Sequence, residues 1–379
     1  MNDVVIASYC RSPFTPAHKG ALIRTRPDDL TAQVIQGLLK RSKVPPEEIE
    51  EIMLGCAFQE AEQGFNLGRM VVFLAGLPQP IAGQTINRWC GSSMQSIHSA
   101  AGAIRWGSGE AFICAGVESM TRIPMGGYNP MPHPGLYEKF PQAYMSMGET
   151  AENLAKKYAI PREEREKFAL SSHQKAAAAQ AEGRFREEIV PIRTPDGNEV
   201  TEDGCIRSDT SLEKLAQLKP AFLADGTITA GTSSPLTDGA SAVLVCSMEF
   251  ASRHNLEPLA KIKSMAVTGC APEIMGIGPV GATQKALQRA GLTLDDIDLI
   301  EINEAFAAQV LSVVKELNLD LSKINLDGGA IALGHPLGAS GARITGKAAQ
   351  LLKRTGKRYA LATLCVGGGQ GMATVLEAV

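Results

Sequence analysis

The stretch Asn87-Arg88-Trp89-Cys90-Gly91-Ser92-Ser93-Met94 decides how this chain folds. It has the form of a strand end, a tight turn that carries one cysteine, and a helix that begins directly after the turn. Gly91 lets the backbone bend sharply, and Ser92 or Ser93 offers a hydroxyl to cap the first helical turn. The positive end of that helix would favour the Cys90 thiolate and make it a nucleophile. The plainer interpretation is a buried cysteine that serves as a small apolar side chain.

The pattern around this turn occurs twice. A constant offset of 248 residues pairs Phe58 with Phe306 and Ser92 with Ser340, without a gap over both blocks. Such an offset predicts an internal duplication. Because strands and helices alternate in each copy, the fold class is α/β. We expect each half to be a mixed, mostly parallel sheet with helices on both faces, and the active site to lie where the halves meet.

Composition divides the chain further. Residues 1–118 form the predicted first half, which is completed by about residues 226–250, and residues 251–379 form the second half. Between them, residues 119–225 have no counterpart after the second half. Residues 120–141 have the composition of an irregular loop, and helices are predicted from residue 148 and over 161–182. We interpret this segment as an inserted loop or cap domain that covers the site and selects the substrate.

Bulk properties exclude several functions. A formal net charge of -3 over 379 residues argues against nucleic-acid binding, and no apolar run approaches membrane-spanning length. The eight cysteines show no paired metal spacing, so no metal site is expected. The first strand begins almost at the first residue, which leaves no room for a cleavable targeting segment. The expected location is therefore the cytoplasm, where thiols stay reduced.

Three further strand-end turns lie in the second half. Asn303 follows a predicted strand, His335 stands in Gly334-His335-Pro336 before a helix, and Cys365 precedes a glycine loop at 367–371. The alternative for His335 is a structural turn histidine, and Asn303 could simply cap the backbone. A dinucleotide-binding loop at 367–371 is rejected because only eight residues follow it. Exposed N–H groups in such a loop can instead hold an oxyanion.

Two cysteines, one histidine and one asparagine on strand-end turns favour acyl transfer that involves a carbon acid. One thiol attacks, the imidazole takes its proton, and the second thiol handles the proton at carbon. A simple hydrolase would not need the second thiol.

These residues resemble the thiolase family across essentially the whole chain. Five blocks occur in the family's order and spacing: the Cys90 block, residues 229–240, Asn303-Glu304-Ala305-Phe306, Gly334-His335-Pro336 and the Cys365 block. The resemblance implies α-β-α-β-α layers. Cys-Gly-Ser-Ser-Met-Gln at 90–95 and Ile-Met-Gly-Ile-Gly-Pro at 274–279 are most similar to bacterial 3-ketoacyl-CoA thiolases of fatty-acid β-oxidation. The acetoacetyl-CoA-forming type, which works in the condensing direction, is the close alternative.

The resemblance also implies the roles of the residues. Cys90 would attack the 3-keto carbon of a 3-ketoacyl-CoA, and cleavage would leave an acyl group on Cys90 for free coenzyme A to take. His335 would activate Cys90 and, with a water held by Asn303, stabilise one thioester oxygen. Cys365 would protonate the departing acetyl-CoA carbanion. Backbone N–H groups of Cys90 and Gly367 would form the second oxyanion hole.

The remaining implied contacts concern coenzyme A, which enters as a co-substrate while no cofactor stays bound. The substrate and CoA contacts would be Arg207, Ser234, Met147, Met275 and Phe306. The family is usually a homodimer or homotetramer, and a hydratase-dehydrogenase subunit is a candidate partner. Three positions depart from the family pattern: Ser146 in place of a histidine, Ala339 in place of a cysteine, and Pro235 in place of a glycine.

Two rival interpretations differ in class from thiolysis. A decarboxylating or synthase-type condensing enzyme would use another His/Asn or two-His set around its nucleophile, against which Cys365 and the single His335 argue. A non-catalytic acyl-CoA-binding subunit would not need the complete catalytic set.

Overall fold

Strands and helices alternate through residues 3–379, the part of the chain that the computed structural model describes. The strands are β1 (Val4–Arg11), β2 (Thr15–Pro16), β3 (Glu51–Gly55), β4 (Ala82–Ile86), β5 (Ala111–Ser119), β6 (Ile192–Arg193), β7 (Glu199–Val200), β8 (Thr237–Ser247), β9 (Ala260–Gly269), β10 (Leu299–Ile302), β11 (Tyr359–Val366) and β12 (Gln370–Glu377). The α-helices are α1 (Pro27–Ser42), α2 (Leu67–Leu74), α3 (Ser92–Trp106), α4 (Pro134–Lys139), α5 (Met147–Lys157), α6 (Arg162–Ala181), α7 (Leu212–Ala216), α8 (Met248–Arg253), α9 (Gly278–Ala290), α10 (Ala307–Leu317), α11 (Ala330–Leu333) and α12 (Leu337–Thr355).

The duplication predicted from the 248-residue offset is confirmed by the element positions. The offset carries α1 onto α9, β3 onto β10, α3 onto α12 and β5 onto β11. Each copy therefore has a helix, a strand, a second helix and a second strand in the same order. The turn before α3 and the turn before α12 are structural equivalents.

The sheet topology agrees with mixed, mostly parallel halves. In the first half the order is β4-β3-β5-β8-β1, and only β8 runs against the other four strands. In the second half the order is β10-β11-β12-β9, and only β12 is reversed. The two halves are not separate sheets, because β1 and β9 pair through Val5–Lys261 and Ile6–Ala260. This short antiparallel junction was not predicted.

Five layers follow from how apolar side chains pack. α1 and α2 cover the outer face of the first half, with Leu30 and Val71 in one cluster with Ile113 of β5. α9 and α10 cover the outer face of the second half. Between the halves, α3 and α12 share a cluster with strands of both sheets. The α-β-α-β-α arrangement is thus confirmed, with α3 and α12 as the central layer.

Small residues allow the central layer to be this thin. A methyl group added at Gly341 of α12 would lie 2.4 Å from the backbone nitrogen of Met94 in α3. One added at Gly346 would lie 2.2 Å from the ring of Tyr9 on β1. Overpacking of this kind costs about 1–3 kcal/mol. The glycines of α12 therefore let the helix approach α3 and β1 at the same time.

Charged side chains lie buried beside α12 and hold the neighbouring segments to it. Lys347 donates to Glu188 at 2.9 Å and lies 2.8 Å from a carboxylate oxygen of Asp327. Arg11 of β1 bonds both oxygens of Asp203, at 2.7 and 2.8 Å, and also bonds Glu188. Buried charges of this type are costly unless they are paired. The network thereby docks residues 188–203 onto the core.

The segment predicted as an insertion contains α4, α5, α6, α7 and the β6–β7 hairpin. Its first part is not wholly irregular, because α4 (Pro134–Lys139) lies within the predicted loop; His133 caps its first turn. The predicted helices correspond to α5, where Ser146 and Glu149 form a capping box, and to α6. The domain boundaries at residues 119 and 225 remain a prediction.

Candidate active site

The Cys90 turn connects the end of β4 to the start of α3. Trp89 carries the unusual backbone conformation, with a φ of 45°, and its N–H donates to Asn87 Oδ1 at 2.8 Å. Gly91 has an ordinary φ of -89°, so the sharp bend of the backbone is not made at Gly91. A methyl group at Gly91 would instead lie 2.5 Å from the sulfur of Met372 on β12. Glycine is needed here because the second half packs directly against the turn.

The two serines after the turn do not cap α3, contrary to the prediction. The helix has no side-chain cap. Ser92 Oγ accepts from the Arg88 N–H at 2.9 Å and donates to the Trp89 carbonyl at 2.6 Å. Ser93 Oγ accepts from the N–H of Ala342 at 2.8 Å. Ser92 therefore stiffens the turn, and Ser93 joins α3 to α12.

The Cys90 thiol is neutral in the resting structure. Burial raises its pKa to about 12, although the N–H groups of Gly367 and of Cys90 itself lower the pKa. The predicted preference for the Cys90 thiolate is therefore outweighed by burial. Those two N–H groups do point at the sulfur, which is where the sequence predicted an oxyanion hole.

His335 stands between α11 and α12, after Gly334 with its φ of 105°. Its N–H donates to Thr237 Oγ1 at 3.0 Å, and its Nδ1 lies 2.5 Å from Ser340 Oγ. Ser340 Oγ also donates to the Pro336 carbonyl at 3.2 Å. Because the hydroxyl has only one hydrogen, we assign the proton of the neutral ring to Nδ1. Nε2 is then free to act as a base.

The imidazole is neutral at ordinary pH. Burial, helped by the charge of Arg343, lowers the pKa of His335 to about 3. Arg343 itself bonds Glu301 of β10 at 3.1 Å. The resting pair is therefore a thiol and an uncharged imidazole.

Asn303 follows β10 and lies against the imidazole of His335. Its Nδ2 is 3.3 Å from Nε2 and 3.5 Å from Nδ1, so the amide contacts the ring and does not select one nitrogen. The Asn303 N–H donates to the Thr363 carbonyl at 3.0 Å. Its Oδ1 is buried and has no hydrogen-bond partner among the described residues. That oxygen is available to a ligand or a water.

Cys365 lies at the end of β11, fully buried. Burial is the main cause of its pKa being well above the ordinary value, and the neighbouring Cys90 and Cys270 thiols raise it further. The loop after it turns through Gly368 and Gly369, whose φ values are 76° and 81°. The structure thus brings Cys90, His335, Asn303 and Cys365 to the junction of the two halves.

Apolar side chains wall this junction. Met147 of α5, Met275 and Phe306 belong to one cluster with Cys365. Ser234 is held beside them by its Oγ, which donates to the Ala305 carbonyl at 3.1 Å. Four of the five predicted substrate contacts therefore lie in or beside the cluster that contains Cys365.

Arg207 differs from the other predicted contacts. Its side chain is exposed, and its backbone N–H donates to Nδ1 of His173 on α6 at 3.2 Å. The sequence prediction also missed Ser340, Thr237 and Phe222. The ring of Phe222 meets that of Phe306 edge-on at 5.6 Å. A signal existed for Ser340, because the duplication pairs it with Ser92 of the Cys90 turn.

Residues 3–379 lack two other features, a membrane-spanning helix and a metal-binding cluster. No helix in this range is long and apolar enough to cross a membrane. The same range contains no group of three or more His, Cys, Asp or Glu side chains placed to hold a metal ion.

Comparison with known proteins defines the class. The model of the thiolase N-terminal domain matches residues 4–249, and that of the thiolase C-terminal domain matches residues 256–378. The chain therefore belongs to the thiolase family, whose members are acyltransferases.

Individual relatives are similar over full length. The 3-ketoacyl-CoA thiolase of Idiomarina loihiensis is 50% identical over 388 residues, covering 100% of both chains. Human mitochondrial 3-ketoacyl-CoA thiolase in complex with CoA superposes with a TM-score of 0.91 at 40% identity, over 100% of this chain and 98% of that one. The acetyl-CoA acetyltransferase of Bacillus anthracis superposes with a TM-score of 0.91 at 42% identity, over 100% of this chain and 99% of that one.

Proposed function

We propose that this thiolase catalyses the CoA-dependent cleavage of 3-ketoacyl-CoA in fatty-acid β-oxidation. The products are acetyl-CoA and an acyl-CoA shortened by two carbons. The observation that carries the proposal is the pair of neighbouring buried thiols, Cys90 and Cys365, together with the contact between Asn303, which is bonded to β11 two residues before Cys365, and the imidazole of His335. The full-length similarity to 3-ketoacyl-CoA thiolases supports the substrate class.

In the first step the Cys90 sulfur forms a bond to the 3-keto carbon, and its proton moves to His335 Nε2. The Cα–Cβ bond then breaks, and its electron pair stays on the carbon of acetyl-CoA. Cys365 gives that carbanion its proton, so acetyl-CoA leaves as a neutral product. In the second step the CoA thiol gives its proton to the Cys365 thiolate and attacks acyl-Cys90. The C–S bond to Cys90 breaks, the shortened acyl-CoA leaves, and the Cys90 sulfur takes its proton back from His335.

Two groups of donors stabilise the oxygens that become negative. The N–H groups of Cys90 and Gly367 hold the oxygen of the carbon that Cys90 attacks. His335 and a water on Asn303 hold the thioester oxygen of the acetyl-CoA enolate. Support for the first pair comes from the direction of both N–H groups, which point at the Cys90 sulfur and lower its pKa against the larger effect of burial.

Met147, Met275 and Phe306 enclose the reacting acyl group, and Ser234 lies near the pantetheine. Arg207, which is exposed, is assigned to the nucleotide end of coenzyme A, where a cation can meet phosphate in solvent. Residues 119–225 form the cap through which both substrates enter. Coenzyme A is the co-substrate, and the enzyme keeps no permanent cofactor.

The acetoacetyl-CoA-forming alternative is less favoured. At residue 146 the sequence has serine where the biosynthetic members have histidine. Ser146 Oγ accepts from the N–H of Glu149 at 3.4 Å, so the residue serves as the cap of α5. The curated relatives at about 50% identity carry the 3-ketoacyl-CoA name.

Assembly as a homodimer or homotetramer is part of the proposal. β4 is the outer strand of the first half-sheet and is only partly buried. Phe65, Phe73 and Leu74, beside it on α2 and its approach, are exposed. Open strand edges and exposed apolar groups favour association. A hydratase-dehydrogenase subunit is the proposed outside partner, and the cytoplasm is the proposed location because all eight cysteines are unpaired thiols.

Loss of the 3-ketoacyl-CoA enolate absorbance, followed with and without coenzyme A, tests the function. Cys90→Ser and Cys365→Ala should each lower kcat by about a thousandfold or more, since each removes a reacting group. Only Cys365→Ala should still form a stable acyl-enzyme when mixed with an acyl-CoA. Cys246→Ala, a buried thiol on β8 outside the site, is the matched control and should stay active. Wild-type turnover by Cys90→Ser would refute the proposal.

A further inference from the structure

Glu118 is a buried carboxylate that the proposed chemistry does not use. It lies at the end of β5 and is 1% exposed. Its two oxygens accept from the backbone N–H groups of Ala57 at 2.9 Å, Phe58 at 3.2 Å and Gly338 at 2.9 Å. A fourth donor is Gln63 Nε2 at 2.7 Å. So complete a set of N–H donors is what an anion-binding site provides.

Two of the residues that donate to Glu118, Ala57 and Phe58, also contact the turn that carries Cys90. Asn87 Nδ2 donates to the Ala57 carbonyl at 2.9 Å, and the ring of Phe58 lies 5.4 Å from that of Trp89. Asn87 and Trp89 are the residues that lead into Cys90. Through this turn, Glu118 is connected to the position of the sulfur.

The donor of the second half belongs to the helix that follows the base. Gly338 lies in the first turn of α12, three residues after His335. A methyl group at Gly338 would lie 2.5 Å from the Val117 carbonyl, so the helix start sits directly on the end of β5. One carboxylate therefore contacts both the segment that supports Cys90 and the segment that carries His335.

The duplication explains why a carboxylate occupies this place. The 248-residue offset pairs Cys90 with Gly338, so these two N–H groups are equivalent. In the first copy the Cys90 N–H points at the reactive sulfur. In the second copy the Gly338 N–H donates to Glu118.

The other half of the N–H pair behaves in the same way. The offset pairs Gly367 with Ser119. The Gly367 N–H points at the Cys90 sulfur, whereas the Ser119 N–H donates to Gln63 Oε1 at 2.7 Å. Gln63 in turn bonds Glu118. The second copy of the anion hole is thus filled from within the chain.

We propose that Glu118 is a positioning residue, an internal carboxylate whose oxygens occupy the second copy of the hole and fix the Cys90 turn relative to His335. The inference rests on the proposed function for the roles of Cys90 and His335. It goes beyond that function because it proposes that one side chain, which contacts neither the sulfur nor the imidazole, sets the distance between Cys90 and His335.

Glu118→Gln separates a positioning role from a purely electrostatic one, because the two roles predict opposite changes in the rate at which Cys90 is alkylated. Burial is the main reason for the high pKa of Cys90, and the charge of Glu118 adds to it. Removal of the charge alone would therefore speed alkylation of Cys90 by iodoacetamide. Loss of position slows it, by about tenfold or more, because His335 no longer reaches the thiol proton. With kcat measured on 3-ketoacyl-CoA, the fall should be about a hundredfold at nearly constant KM.

The same substitution in a His335→Ala background completes the test. If Glu118 acts through the Cys90–His335 distance, Glu118→Gln causes little further slowing of alkylation there. Faster or unchanged alkylation in the single variant, or equal slowing in both backgrounds, would overturn the inference. Because alkylation needs no turnover, a wild-type protein that is inactive on 3-ketoacyl-CoA refutes the function and leaves this comparison readable.

Two further variants separate positioning from loss of folding. Glu188→Gln removes another buried carboxylate, one that bonds Arg11 and Lys347, and should lower stability while the alkylation rate stays at the wild-type value. Glu118→Asp keeps the charge but draws the oxygens back by one methylene. Slower alkylation by Glu118→Asp is expected and serves as the test if Glu118→Gln does not fold. Wild-type alkylation by Glu118→Asp would overturn the inference.

Discussion

Ser340→Ala tests whether the imidazole of His335 is oriented by the hydroxyl beside it. In the structure, Ser340 Oγ lies 2.5 Å from Nδ1 and donates to the Pro336 carbonyl at 3.2 Å. Asn303 contacts both ring nitrogens about equally and does not orient the ring. In the wild type Ser340 selects the ring form that carries its proton on Nδ1, so that Nε2 is free to act as the base. Ser340→Ala removes this selection.

The magnitude follows from the bond that is lost. Ser340 and His335 are both at most 5% exposed, so the Nδ1–H group of the variant has no access to bulk water. A buried donor without a partner costs about 1–3 kcal/mol. At 1.36 kcal/mol for each factor of ten, this is a fall in kcat of about 5- to 150-fold. Substrate contacts are unchanged, so KM should move by less than about a factor of two.

Steady-state thiolysis by wild type, Ser340→Ala and Thr345→Val provides the comparison. Thr345 lies on the same helix, and its hydroxyl donates only to the Gly341 carbonyl at 2.8 Å. It therefore reports the effect of losing a buried hydroxyl from α12 without touching His335. Wild-type kcat in Ser340→Ala, or an equal loss in Thr345→Val, would refute the orienting role.

Two predictions concern stability. Lys347→Met leaves two buried carboxylates without their shared cation and should lower the free energy of unfolding by about 3–5 kcal/mol in urea titrations; an unchanged midpoint would show that the pair contributes nothing. The second prediction concerns buried histidines whose pKa burial lowers to about 3, 4 and 3: His98, His173 and His335. Because these pKa values lie below the ordinary 6.5, each histidine takes up a proton when the protein unfolds at low pH. Burial raises the pKa of Glu301 to about 7, so Glu301 releases one proton on unfolding, which offsets only part of the uptake by the three histidines. The free energy of unfolding should therefore decrease by more than about 1.4 kcal/mol between pH 6 and pH 5, and a flat profile would contradict the assignment.

The candidate reactive groups could be located on the fold from the sequence because their signals are local. Cys90 and Asn303 follow strands, Cys365 lies at the end of β11, and glycine or proline marks the turns at Cys90, His335 and Cys365. His335 was expected at a strand end, but it follows the short helix α11. The duplication is visible as a constant offset. It predicted that Cys90 of the first half and the three groups of the second half lie at equivalent edges of two similar sheets. The fold class and the shared cleft follow from these signals without knowledge of distant contacts.

What failed depends on contacts between distant segments. The raised pKa of Cys90 was not predicted, because its main cause is burial and the sequence does not show that the second half packs on the Cys90 turn. Gly91 was explained by backbone bending, whereas the reason is the sulfur of Met372. Lys347 looks like a surface residue by composition, and only the structure shows its buried carboxylate partners.

The same packing gives the neutral resting site a chemical purpose within the proposed mechanism. A thiol whose pKa is raised to about 12 by burial, and an imidazole whose pKa burial lowers to about 3, cannot exchange a proton on their own. An ion pair in this cleft would lack the water that stabilises it elsewhere. Attack on a carbonyl changes the balance, because the negative charge then moves from sulfur to an oxygen that the N–H groups of Cys90 and Gly367 can reach. Proton transfer to His335 thus becomes favourable only together with bond formation. A buried thiol in this setting therefore reacts slowly with iodoacetamide, which offers no such oxygen, with His335 taking the proton as the new bond forms. It reacts faster when an acyl-CoA fills the space between the two halves.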